Sequence, residues 1–153
     1  MYEKYLVRKD SLKNVVKDGK VTGFKFGVRI ANYRGVYLSL VHGFYVAVDG
    51  AVYGRELQSF EINGQPPRSM DEIAKCVWEH WEFTDEGTIH IEKPGGLEPG
   101  THEVAYQECI LAKYGYGPND EAWVKNPPEP GKGGAEKTRT ICTYACELKE
   151  KGA

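Results

Sequence analysis

"GFKFGVRIA", residues Gly23 to Ala31, alternates apolar and polar side chains with a period of two. Phe24, Phe26, Val28 and Ile30 share one face of an extended chain, and Lys25, Gly27 and Arg29 share the other. Such a pattern is that of a half-buried strand, apolar toward a core and polar toward water. It predicts that the four apolar residues line the space between two sheets. Working outward, Asp18-Gly19 in "VVKDGKVTGF" marks a hairpin turn just before this strand, and Asp49-Gly50 in "FYVAVDGAVY" marks a second. "QSFEINGQ" reads as a strand ending at Asn63-Gly64, and "MYEKYLVR" as a first strand. "GTIHIEKPGGLEPGTHEVAYQECILAKY" reads as two strands around a turn rich in Pro and Gly. In "EKTRTICTYACELKE", Thr140, Cys142, Tyr144, Cys146 and Leu148 fall on one face of a last strand. One helix interrupts the pattern, near 69–78, where Ser69 and Glu72 form a capping box and leave room for two or three turns before Trp78. The expectation is an all-β fold, a two-sheet antiparallel β-sandwich of roughly seven to nine strands. It is expected to span residues 1–153 as a single domain.

The net charge of −2 and pI near 6.1 argue against nucleic acid or an acidic membrane as the main partner, since a phosphate binder needs a basic footprint. No apolar run approaches the roughly 20 residues of a membrane-spanning helix. "MYEKYLVRKD" lacks the apolar stretch of a secretory signal, so the expected compartment is the cytoplasm. Cys76, Cys109, Cys142 and Cys146 are then expected as thiols. Four residues apart on one strand, Cys142 and Cys146 would lie about 13 Å apart, too far for a disulfide.

Two His-x-Glu pairs, His80–Glu82 and His90–Glu92, raise the question of a metal or acid–base site. Residues i and i+2 of a strand point the same way, so two such strands in register could offer four ligands to a cation. Against this, Trp81 and Phe83 alternate with the first pair and Ile89 and Ile91 with the second, which places both pairs on a solvent face. No G-x-S-x-G, Walker loop or H-E-x-x-H is present. The expectation is therefore no catalytic and no metal-binding residue in this chain, and no bound cofactor. Contact residues are another matter. The long Pro/Gly-rich loop near 114–135 carries Tyr114, Tyr116 and Trp123, more aromatic surface than a plain linker needs. Tyr33, Arg34 and Tyr37 cluster where the alternation weakens. Tyr, Trp and Arg are the residue types that interfaces favour. These six are the candidates for a partner interface. A stand-alone carbohydrate-binding sandwich, with Tyr114, Tyr116 and Trp123 stacking on a sugar, is the alternative.

"YRGVYLSL" (33–40), "VAVDG" (46–50), "WEF" (81–83) and "KPGGLEPGTHEV" (93–104), in that order, resemble the small β subunit of bacterial C-glycoside deglycosidases. The likeness runs from about Tyr5 to about Leu111. The resemblance implies a sandwich that accompanies a larger α subunit, a (β/α)8 barrel, in an αβ hetero-oligomer. It implies that the complex is a carbon–carbon lyase, splitting the bond between a 3-oxo-glucosyl group and an aromatic aglycone such as a flavonoid by elimination. It places the divalent metal, usually manganese, and the base in the α subunit, and transfers no ligand or base to a numbered residue here.

Overall fold

The alternating strand sits where its pattern requires: Phe24, Phe26 and Val28 are 0% exposed and Ile30 is 1% exposed. The structure, a computed structural model, describes residues 6–30, 35–110 and 142–152, with His42 and Cys109 described by backbone alone. Two antiparallel sheets face each other. One holds β1 (Lys13–Lys17), β2 (Lys20–Arg29), β6 (Gln58–Glu61), β7 (Arg68–Ser69) and β9 (Glu86–Glu92), in the order β1-β2-β9-β6-β7. The other holds β4 (Val41–Val48), β5 (Ala51–Val52), β10 (Gly100–Ile110) and β11 (Cys142–Leu148), in the order β11-β10-β4-β5. A short ribbon of β3 (Val36–Tyr37) and β8 (His80–Trp81) stands at one end of the core. This is the expected all-β sandwich.

Aromatic rings from both sheets and the ribbon meet between the layers. Phe26 meets Tyr106 edge-on at 6.3 Å, Phe44 stacks on Tyr106 at 5.8 Å, and Phe60 lies 4.9 Å from the fully buried Trp81. The turns are the expected ones. Asp18, Asp49 and Asn63 take φ between 52° and 58°, each followed by a left-handed glycine, a conformation that short polar side chains and glycine tolerate best. On β11, Tyr144, Cys146 and Leu148 are buried and the residues between them exposed, as the alternation predicts. Burial pushes the Cys146 thiol up to about 11.

"KPGG" does not join two paired strands. It carries the chain from β9 in the five-stranded sheet to β10 in the four-stranded one. Asn14 holds this crossover: its Nδ2 donates to the Leu97 carbonyl at 2.8 Å, and the Leu97 N–H donates to its Oδ1 at 2.9 Å. Gly96 has φ +62°, and a Cβ there would lie 2.5 Å from the Asn14 Oδ1. A second bond set joins the layers. Gln58 of β6, 3% exposed, donates from Nε2 to the Phe44 carbonyl of β4 at 2.7 Å and accepts the Phe44 N–H on Oε1 at 3.2 Å. It thus closes the β4 edge where β5, which pairs only Ala47 and Val48, does not reach.

Two expectations need correction. The capping box forms, with the Glu72 N–H on the Ser69 hydroxyl and the Glu72 carboxylate on the Ser69 N–H, but α1 is only Met70–Ile73. After Ile73 the chain passes through tight turns, with the Cys76 N–H on the Ile73 carbonyl and the Val77 N–H on the Lys75 carbonyl, and is extended by the time it reaches Glu79. The Glu79 carbonyl accepts the Leu38 N–H and its carboxylate is held by Arg68. Of "MYEKYLVR", the described part makes a single bridge, Val7 to Val28, rather than a ladder. The 114–135 loop lies outside the described residues.

Candidate functional site

Each described histidine outside β4 serves one carboxylate, and the carboxylates come from different parts of the fold. On β8, His80 Nδ1 lies 2.8 Å from Glu82 Oε1. On β9, His90 pairs not with Glu92 but with Glu61 of the neighbouring strand β6, Nε2 to Oε1 at 2.7 Å. The two His-x-Glu pairs do not share a ladder, since β8 pairs β3 while β9 pairs β2 and β6. Trp81, Ile89 and Ile91 point inward and the His and Glu residues outward, as the alternation predicts. Among the described residues, no three His, Cys, Asp or Glu side chains gather in a way that could hold a metal ion.

His102 does something different. Its Nδ1 lies 2.6 Å from Asp49 Oδ2 and its Nε2 lies 2.7 Å from the Glu98 carbonyl oxygen, so both ring nitrogens face acceptors. Asp49 Oδ1 also accepts the Glu103 N–H at 2.8 Å. Burial works against a charge on His102, but the bonds to Asp49 and the Glu98 carbonyl outweigh it and raise its pKa. The His102 bond in turn lowers that of Asp49. This contact ties "VAVDG" to "KPGGLEPGTHEV", two segments far apart in sequence.

The most exposed large apolar side chain described is Trp78, at 89%. Val77 beside it is 55% exposed, and Tyr37 is 47% exposed. Tyr37 lies opposite His80 in the β3–β8 ribbon and meets its ring edge-on at 5.0 Å. The corner is braced from below. Arg68 grips Glu79 with two bonds, at 2.9 and 2.6 Å, and Asn63 adds a third at 3.0 Å. Arg68 and then Asn63 hold the Glu79 carboxyl at about 2, well below its usual range. Of the six sequence candidates for an interface, Tyr37 is on this corner. Tyr33, Arg34, Tyr114, Tyr116 and Trp123 lie outside the described residues. Trp78 and Val77 were missed because the expected helix ran up to them. The apolar period at Met70, Ile73, Ala74, Val77 and Trp78 runs straight through them, so no local signal marked them as exposed.

Two facing antiparallel sheets around one aromatic core place the chain in the class of β-sandwich proteins. Among the described residues, no helix is long and apolar enough to cross a membrane. Sequence comparison is more specific: the model of the C-glycoside deglycosidase beta subunit family matches residues 2–114, and the chain belongs to that family. A relative from Eubacterium cellulosolvens named "C-glycoside deglycosidase beta subunit" is 29% identical over 133 residues, covering 82% of this chain and 90% of the relative.

Proposed function

We propose that this chain is the accessory β subunit of a cytoplasmic complex that cleaves the C–C bond of 3-oxo-C-glucosides of aromatic aglycones. The observation that carries the reading is the family match over residues 2–114. In the proposed reaction the 3-oxo group acidifies the sugar C2 proton. A base removes it, the electron pair moves through the sugar to expel the aryl carbon, and that carbon is protonated as it leaves. Nothing is oxidised or reduced, so the step is an elimination by a carbon–carbon lyase. The base and a divalent metal, manganese by resemblance, are assigned to a larger (β/α)8-barrel subunit, and this chain contributes contact.

The contact is assigned to the Tyr37–Val77–Trp78 corner, together with Tyr33, Arg34, Tyr114, Tyr116 and Trp123. A Trp side chain buries roughly 200 Å² when covered, worth on the order of 5 kcal/mol at about 25 cal/mol per Å². Tyr37, already packed edge-on against His80, loses little side-chain freedom on docking. Titration calorimetry against the larger subunit tests this. Trp78→Ala should weaken association about thirtyfold or more, the effect of a hot spot of about 2 kcal/mol. Binding within about twofold of wild type for both Trp78→Ala and Tyr37→Ala would remove the corner from the interface. No association of the wild-type chain would remove the subunit reading itself.

A further inference from the structure

The outer face of the five-stranded sheet carries an open groove of about 780 Å³. That size falls among pockets that hold drug-sized ligands. The register explains the depression. Val15 on β1 pairs with Gly23 on β2, which pairs with Glu92 on β9. One level along, His90 on β9 pairs with Ser59 on β6, which pairs with Ser69 on β7. Gly23 on β2, Ser59 on β6 and Ser69 on β7 carry no side chain or a single hydroxyl, so the surface lies low at these three positions, while Lys25 of β2 stands beside His90. Pro67 and Pro94 stand at the sides of the groove.

Among the described residues, His90 is the only imidazole lining the groove, and its side chain is 17% exposed. Burial lowers its pKa despite the Glu61 carboxylate, and Lys25 and Lys17 push the same way as burial. A neutral ring that gives its Nε2–H to Glu61 keeps a lone pair on Nδ1. No described residue bonds that Nδ1, so the ring presents an acceptor whose direction Glu61 fixes. Ser69 Oγ accepts the Glu72 N–H and keeps its own proton to donate. The rim is of mixed sign, Lys17 and Lys20 with Glu56 and Glu92. An ionic ligand would meet like charge somewhere on that rim, whereas a neutral ligand carrying both donors and acceptors meets a partner at each group. Val15, Leu57 and the two prolines supply apolar surface for C–H groups.

We infer that this groove binds a neutral polyhydroxylated ligand the size of one or two sugar rings, with His90 Nδ1, Ser59 and Ser69 meeting its hydroxyls and Pro67 and Pro94 flanking its C–H faces. The inference does not rest on the subunit reading, because every group it uses belongs to this chain. The test is a titration of the ¹⁵N-labelled full chain with methyl β-glucopyranoside and with cellobiose, followed by NMR. Glucose 6-phosphate and inorganic phosphate serve as charged probes. Saturable shifts are expected at Thr22, Ser59, Ser69 and His90, with none on β11. His90→Phe and Ser59→Val should each raise Kd about tenfold or more, while Thr143→Val, on an exposed position of the other sheet, leaves it unchanged. Each variant's own spectrum shows whether it is folded. The inference is overturned if neither sugar gives saturable shifts, if the shifts map elsewhere, if either charged probe binds more tightly than the neutral sugars, or if the folded variants bind like wild type.

Discussion

Replacing Gln58 with leucine should unpin the two sheets at one edge. Three bonds depend on this side chain: Nε2 to the Phe44 carbonyl at 2.7 Å, Nε2 to the Tyr53 carbonyl at 3.1 Å, and Oε1 from the Phe44 N–H at 3.2 Å. Leucine matches the volume and satisfies none of them. An unsatisfied buried polar group costs about 1–3 kcal/mol. Both Phe44 groups are buried, so they bear most of the loss, and Tyr53 adds less because its bond is only partly buried. Apolar burial of the leucine returns part, which leaves a net loss of roughly 3–4 kcal/mol. At an m-value of about 2 kcal/mol/M in urea, the midpoint should fall by about 1.5–2 M with m unchanged. Ser59→Ala, one residue along and facing outward, should stay within about 0.5 kcal/mol. A Gln58→Leu midpoint within about 0.3 M of wild type would refute the claim that this side chain stands in for a missing strand.

Phe26→Ala should cost roughly 3–5 kcal/mol in the same urea assay, because the ring is fully buried and packs on Tyr106; an unchanged midpoint would overturn the strand register. The folded pKa of His102 lies above the ordinary 6.5, so its contribution is complete below that value and is lost as pH rises through the folded value. The melting temperature of His102→Gln should therefore trail wild type most at about pH 6 and least at about pH 9, and a gap that widens with pH would contradict the bonding described. Glu79 has the opposite sign: its folded pKa is about 2 against an ordinary 4.5, so its contribution holds above 4.5 and is lost as pH falls through about 2. Glu79→Gln should melt below wild type at neutral pH and converge with it in strong acid, and an equal gap at both would show that Arg68 draws nothing from the charge.

The fold was legible because its signals are local. Period-two burial at Phe24 to Ile30, Ile89 to Ile91 and Tyr144 to Leu148 needs only neighbouring residues, and so do the turns at Asp18-Gly19, Asp49-Gly50 and Asn63-Gly64. What escaped depends on strand order, for which no local signal exists. Glu61 reaches His90 only because β6 lies beside β9, although β7, α1 and β8 come between them in the chain. The same holds for Gln58 with Phe44 and for Asp49 with His102. "KPGGLEPG" showed a turn but not that the turn changes sheets. The corner at Trp78 was hidden by a helical period that runs to Trp78, although the helix itself ends at Ile73 and gives way to tight turns. The family resemblance came from blocks of sequence, and two of those blocks proved to be in contact through His102.

The most direct measurement of the central claim is reconstitution. The chain would be purified alone, the proposed larger subunit alone, and the two after co-expression, each then given manganese and a 3-oxo-C-glucoside. Mass would be read by light scattering and the released aglycone by chromatography. The account predicts one stable hetero-complex, turnover by that complex, and none by this chain alone. Turnover by the isolated chain at a rate comparable to the complex, or two subunits that elute separately, would contradict it.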